Sequence, residues 1–553
     1  MKKAALAVLF SCLVFGADKV ADKTSSNNKD MCAPPPGSVP PALPARLMTG
    51  NGTEYIHFPI TTSSPEAQQF FLQGVAQMHS FWANEAERSF LQAAALDPSA
   101  PMPQWGIAMV AAGDYRPRFQ LDRDLPAKPD GAKPDRYSQG GAARAIAAAQ
   151  KAVELSAVEG KASPLEKLYV AAIAARRDVN SADRDEGYIN GLRAIVAGYP
   201  GEIEARSYLA LHLMRGYTLP DHQPRPGTME AVAMLRQLLV DAPDHMGVHH
   251  FVIHGFEGAT FAKDAWPSCR RYPELVPNIP HALHMPGHIW AQTGKWEEAV
   301  KSFSSAAENE RGYMAADQLY GSGHHGHNVH FMATSLSFQG HYDEAMTAAR
   351  ELLAIKENPR EAGQLDNNFT AYRQGWFAML RTLVQNEKWD VILEGSTLPA
   401  YDKPREQAWR HWALGLAHAA KGHAARTRAE AKAMDAALKD LTDKTKDAVP
   451  PPLAAARKEL DGHIAAVERK RGKAIETLQA AAKMERSMRY NEPPSYPRPV
   501  LQALGEKALA YGKLQVAEAA FREALDQYPE SSRALAGLSD TLKRAKKPLN
   551  AGD

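Results

Sequence analysis

The sequence predicts an all-α chain of helical hairpins stacked into a solenoid, and three observations carry that expectation. From about Pro65 onward, amphipathic patterning runs helix after helix, with Gly and Pro as punctuation. Gly74 is followed by Ala86, Phe90, Ala93 and Pro98, and near the C-terminus Gly505 is followed by Ala517, Phe521, Ala524 and Pro529. Both sets step by 12, 4, 3 and 5 residues, and Gly287, Ala299, Phe303 and Ala306 repeat the first three steps. Two helices approach closely only where one presents Gly or Ala to the other. A fixed spacing of small residues around an aromatic is therefore the trace of a repeated hairpin.

That spacing resembles the tetratricopeptide repeat, a helical hairpin of about 34 residues. The resemblance implies an α-solenoid, a tetratricopeptide-like superhelix whose first helices line a concave groove. Its register predicts first helices at about Met246 to Ala259 and Pro280 to Thr293, with a third beginning near Gly326 after an insertion containing "GYMAADQLYGSG". The segments Asp114–Ser138 and Asp443–Pro452 read as further insertions or linkers.

Around this array the chain divides into five stretches. Residues 1–17 pair Lys2 and Lys3 with a short apolar run and small residues, the pattern of a secretory signal. Residues 18–64, rich in Ser, Asn and Pro, read as a flexible linker. Helical repeats then fill 65–240, a His-rich centre 241–360, and a C-terminal array 361–548. The expected location is the periplasm or the exterior, with lipid anchoring through Cys12 the lesser alternative. A Cys32–Cys269 disulfide is permitted there but not dictated. A net charge of +2 over 553 residues gives no reason to expect nucleic acid. No later stretch is apolar for long enough to span a membrane. The absence of GxSxG, P-loop, HExxH and CxxC patterns leaves serine hydrolase, nucleotide-dependent, zincin and thioredoxin-like chemistry without support.

Histidine is where the sequence departs from an ordinary solenoid. Eleven of its 20 histidines fall between His245 and His330. The repeat register implies that His250 and His254, then His281, His284 and His288, then His327 and His330 face one groove from three consecutive first helices. Imidazoles three or four residues apart share a helical face and can chelate one ion. Seven such residues exceed the four ligands of a tetrahedral site, so two metals, or one metal with spare histidines, are both open. Imidazole suits Cu, Fe, Zn or Ni better than Mg or Ca. His245, His249, His324 and His325 read as capping or supporting residues, and Asn328 as a partner for a neighbouring ring. Asp244, Glu257, Glu274 and Asp317 are candidate acceptors for imidazole N–H groups. Scattered histidines such as His57, His79, His212, His418 and His463 read as ordinary packed or surface residues. Pro286, inside the His281–His288 helix, either aims these rings at one point or separates them.

The segments "PNIPHALHMPGHIWAQTGKW", "HNVHF" and "EPPSYPRPVLQALGEKAL" are similar to those of a group of exported bacterial tetratricopeptide-repeat proteins. That resemblance covers most of the chain after the linker and brings no reaction with it. Three functions follow as expectations. The first is a transition-metal protein, either an oxidoreductase or a metal-handling protein. The second is a scaffold holding a protein or peptide against the groove and its aromatics Trp105, Trp290, Trp296 and Trp376. The third is a metal-dependent hydrolase.

Overall fold

The computed structural model describes residues 40–114, 141–316, 322–356, 370–488 and 491–545. The expected signal, Cys12, Cys32, Asp317 and nearly all of the expected 114–138 insertion lie outside them. Among the described residues the chain forms 23 α-helices and no strand. Successive helices pair as antiparallel hairpins, and Ser532–Arg544 ends the array as a lone capping helix. The fold is the tetratricopeptide-like α-solenoid that the sequence predicts.

The helices that position the site are α1 (Pro65–His79), α2 (Ala83–Leu96), α3 (Pro101–Val110), α4 (Ala142–Ser156), α5 (Pro164–Arg177), α6 (Arg184–Gly198), α7 (Ile203–Leu213), α8 (Thr228–Asp241), α9 (Met246–Phe256), α10 (Trp266–Leu275), α11 (Pro280–Gln292), α12 (Trp296–Ala316), α13 (Gly323–Gln339) and α14 (Tyr342–Ala354). The repeated spacing has a direct physical cause. A Cβ on Gly74 would lie 2.6 Å from the Phe90 ring, on Gly287 2.5 Å from Phe303, and on Gly505 2.7 Å from Phe521. Each hairpin closes by seating the aromatic of its second helix on the bare backbone of its first.

Residues 40–64, expected as part of the tether, instead pack on the array. Ile56 and Phe58 are buried, and Phe58 meets Phe71, Trp105 and Tyr169. The Thr61 N–H donates to Glu166 at 2.7 Å, and Asn278 N–H donates to the Gly50 carbonyl at 2.9 Å. The apolar residues of this stretch outweigh its Pro-rich composition.

The other end folds back as well. Trp296 Nε1 donates to the Pro529 carbonyl at 2.8 Å, and Ser532 Oγ to the Phe338 carbonyl at 2.9 Å. Phe338 stacks between Trp296 and Tyr528. Buried Arg381, on the helix Ala371–Gln385, donates to the carbonyls of Tyr496, Pro497 and Pro494, fixing the irregular stretch before Val500. The central hairpins are thus braced from both ends. Consequently the expected open groove is closed at its middle, and all seven predicted histidines are buried. Trp105, Trp290, Trp296 and Trp376 are buried core residues too and line no open surface. No described helix is long and apolar enough to cross a membrane.

Candidate metal centre

Helices α9 and α11 begin at Met246 and Pro280, as the register predicts, so His250 and His254 stand one repeat before His284 and His288. Helix α13 begins at Gly323, three residues before the expected start. His324 therefore takes the second position there, His327 the fifth and Phe331 the ninth. His330 falls on a rotated face.

Six of the seven predicted residues come together as two triads: His250, His254 and His281, and His284, His288 and His327. Within each, one nitrogen per ring lies within 4.8 Å of the others. In the first, Nε2 of His250 and Nε2 of His281 are 3.1 Å apart. In the second, His284 Nε2 is 2.5 Å from His288 Nε2 and 3.3 Å from His327 Nε2. His330 joins neither; its ring meets Phe377 edge-on, and its surroundings include Gln374 and Arg381. Pro286 leaves α11 continuous, and that helix sends His281 to the first triad and His284 and His288 to the second.

Four of the six rings are held at their opposite edges, and Nδ1 of His281 and His327 has no hydrogen-bond partner among the described residues. His250 Nδ1 donates to the backbone carbonyl of His79, the last residue of α1. His254 Nδ1 donates to Glu257 Oε2 at 3.2 Å, and His288 Nδ1 to Glu257 Oε1 at 2.7 Å. Glu492, from the stretch fixed by Arg381, also accepts from His288 Nδ1. His284 Nδ1 donates to Asn328 Oδ1 at 2.5 Å, and Asn328 Nδ2 donates to Glu310 Oε2 at 2.8 Å. With Nδ1 protonated, the Nε2 atoms of these four rings turn inward.

Apolar rings seal the cluster. Phe81 packs on His250, His254 and His281, holding an unusual positive φ of 55° to do so. Phe303 covers His284 and His288, and Phe331 covers His288 and His327. Burial and the neighbouring imidazoles push His281, His284 and His327 well below the ordinary histidine range, leaving them neutral. His288 goes the other way. Burial alone would lower it, but the Glu492 and Glu257 carboxylates outweigh that and push it up to about 10. Burial, with Glu257 alongside, raises the Glu492 carboxyl in turn.

The supporting residues sort clearly. His245 caps α9, its Nδ1 accepting from the Val248 N–H at 3.2 Å, while its Nε2 donates to Glu204 at 2.8 Å. His79, read from sequence as an ordinary packed residue, shares that buried Glu204 at 2.7 Å, and its carbonyl orients His250. His249 faces Ser268 on α10 at 3.0 Å and the Pro243 carbonyl at 2.7 Å, a packing role. His325 pairs with Glu351 at 3.2 Å. His324, held at Nδ1 by Glu310, lies between the triads, its ring centroid 6.1 Å from that of His281 and 5.3 Å from that of His284. Of the four acids considered from sequence, Glu257 is an orienting one; Asp244 and Glu274 bind Arg271 on the surface. Sequence reasoning missed Glu204, Glu310 and Glu492. Only Glu492 carried a signal, through its place in the "EPPSYPRP" segment, and nothing local tied it to His288. A cavity of about 580 Å³ has Gly258, Lys263, Glu485, Asn491 and Tyr528 on its wall, with Gly258 and Asn491 the chain neighbours of Glu257 and Glu492.

Fold and site together define a tetratricopeptide-like solenoid with a histidine cluster sealed in its middle. No family model and no curated protein matches the chain. Among solved structures it is similar to the human IFIT1 dimer with m7Gppp-AAAA at 11% identity and a TM-score of 0.33, over 91% of this chain and 96% of that one. The yeast Tom70 crystal structure is similar at 10% identity and a TM-score of 0.28, over 88% and 90%. Neither likeness bears on the site.

Proposed function

We propose that this chain is an exported transition-metal protein of the tetratricopeptide-like class, with its ions held by the buried histidine triads. The observation that carries the reading is the inward convergence of ring nitrogens in each triad, with the Nδ1 edges of His250, His254, His284 and His288 already held from outside. Lone pairs of neutral imidazoles aimed at one another in a buried interior repel unless a cation, or a proton such as the one the Glu257 and Glu492 carboxylates favour on His288, lies between them. A tetrahedral site with metal–nitrogen bonds of roughly 2.0–2.1 Å spaces its nitrogens about 3.3 Å apart. The separations of 3.1 and 3.3 Å fit that spacing, while the 2.5 Å between His284 and His288 is shorter than it and would have to widen around an ion.

All-imidazole donors favour Cu, Zn or Fe over Mg or Ca. The phenylalanine seal counts against hydrolysis, which needs water at the ion, and leaves redox chemistry or metal handling as the better-supported uses. A peptide scaffold has less support, because its expected aromatic contacts are buried in the core. Export is supported by the basic-then-apolar leader at residues 1–17.

The test is elemental analysis of protein purified without an affinity His-tag or chelator, wild type beside the His284→Ala/His288→Ala double variant. Stoichiometric Cu, Zn or Fe that the variant loses while keeping its helicity is the expected result. Wild-type protein that takes up none of these on reconstitution defeats the proposal.

A further inference from the structure

We propose that the triads are two separate ion sites one repeat step apart, and that Glu257 is the shared residue positioning a ligand of each. This inference rests on the metal reading above. One ion cannot hold six imidazoles that fall into two groups. The solenoid makes the groups by repetition. Positions five and nine of α9 supply His250 and His254, and the same positions of α11 supply His284 and His288. In each case the following first helix adds the third ring, His281 from α11 and His327 from α13.

Glu257 occupies the seam between the sites. It follows the last residue of α9 and leaves the helix with an extended backbone, φ −63° and ψ 124°. That turn points its carboxylate between the two first helices. One oxygen accepts from His254, a ring of the first triad, and the other from His288, a ring of the second. Both oxygens are engaged, and the carboxylate is enclosed between α9, α11 and the Glu492 stretch. Asn328 gives the contrast: its Oδ1 holds only His284, in the second triad. Removing an outer partner of a ligating histidine lowers metal affinity by about 10–100-fold. Removal of Glu257 therefore acts on both sites, and removal of Asn328 on one.

The experiment is Zn²⁺ titration of the full chain by calorimetry, with elemental analysis after dialysis at fixed free Zn²⁺. Wild type is expected to hold two ions, and His281→Ala and His327→Ala one each. Glu257→Ala should weaken both sites by about 10–100-fold, whereas Asn328→Ala weakens a single site. Glu257→Gln keeps the shape but offers only one accepting oxygen, so it should restore one site and not the other. A purely packing role for Glu257 would not produce that split. If Glu257→Ala fails to keep its helicity, Glu257→Gln decides alone. One ion per wild-type chain, a Glu257→Ala effect confined to one site, or a Glu257→Gln protein that binds at both sites like wild type overturns this inference and leaves the metal reading standing. No Zn²⁺ uptake by wild type, with none of Cu or Fe either, removes the metal reading itself.

Discussion

Substituting Gly287 by Ala isolates the contact on which the central hairpin is built. An added Cβ would stand 2.5 Å from Cε1 and Cζ of Phe303 and 3.0 Å from its Cδ1. Real Cβ atoms do not approach carbon that closely, so the ring must move. It cannot move freely, because Phe303 is buried between His284 on one side and Phe331, stacked 4.4 Å away, on the other. Overpacking of this kind costs about 1–3 kcal/mol. Alanine in a helix interior returns about 1 kcal/mol of propensity. The expected net is a loss of up to about 2 kcal/mol. Gly312→Ala is the matched control: an exposed glycine on α12 whose Cβ would meet nothing within 4 Å, expected to stabilise by up to about 1 kcal/mol. Urea unfolding followed by far-ultraviolet circular dichroism measures both. Adding Phe303→Leu to Gly287→Ala should cost less than the two single changes summed, since the smaller side chain relieves the clash. A Gly287→Ala protein as stable as Gly312→Ala would refute the close-approach account of the repeat.

Two further expectations follow from other contacts. His330→Ala should leave ion stoichiometry unchanged by elemental analysis, because that ring faces Phe377 and not the triads. Loss of an ion in that variant would put His330 back among the ligands. Asp114→Asn removes one partner of a buried pair in which Arg177 donates at 2.7 and 2.8 Å, at a cost of about 3–5 kcal/mol. Burial would raise the Asp114 carboxyl, but Arg177 and Arg176 outweigh it and hold it well below the usual range. Its contribution is thus present above the unfolded value of about 3.9 and is lost as pH falls below that through the folded value. Acid unfolding of wild type should show that loss, and the Asn variant should lack this share of it.

How much was legible depended on whether the governing contact was local. The hairpin register was readable because Gly287 and Phe303, like Gly74 and Phe90, are neighbours within one repeat. The start of α11 at Pro280 followed from the same register. His330 was misplaced because an insertion breaks the 34-residue count, and α13 starts three residues before the register's prediction. Pattern alone gives no way to phase a helix across an insertion. Glu492 was invisible for a different reason: its partner is set by how the superhelix closes, and closure is a property of the whole stack. The same holds for the stretch 40–64, whose Pro-rich composition suggested a tether while Ile56 and Phe58 were already its anchors.

Closure also changes what kind of object this solenoid is. Stacks in which each repeat touches only its neighbours lose structure stepwise, since every boundary can melt on its own. Here the turn after α11 carries Gly294, at φ 76°, directly beneath the Pro529 carbonyl, where a Cβ would come within 2.9 Å. Trp296 is hydrogen-bonded to that carbonyl, and Asn278 to Gly50 at the other end. Fraying of either terminus must therefore break contacts made by the middle of the chain. The array behaves less like a zipper than like a clasped bracelet, in which the first repeat to open takes the clasp with it.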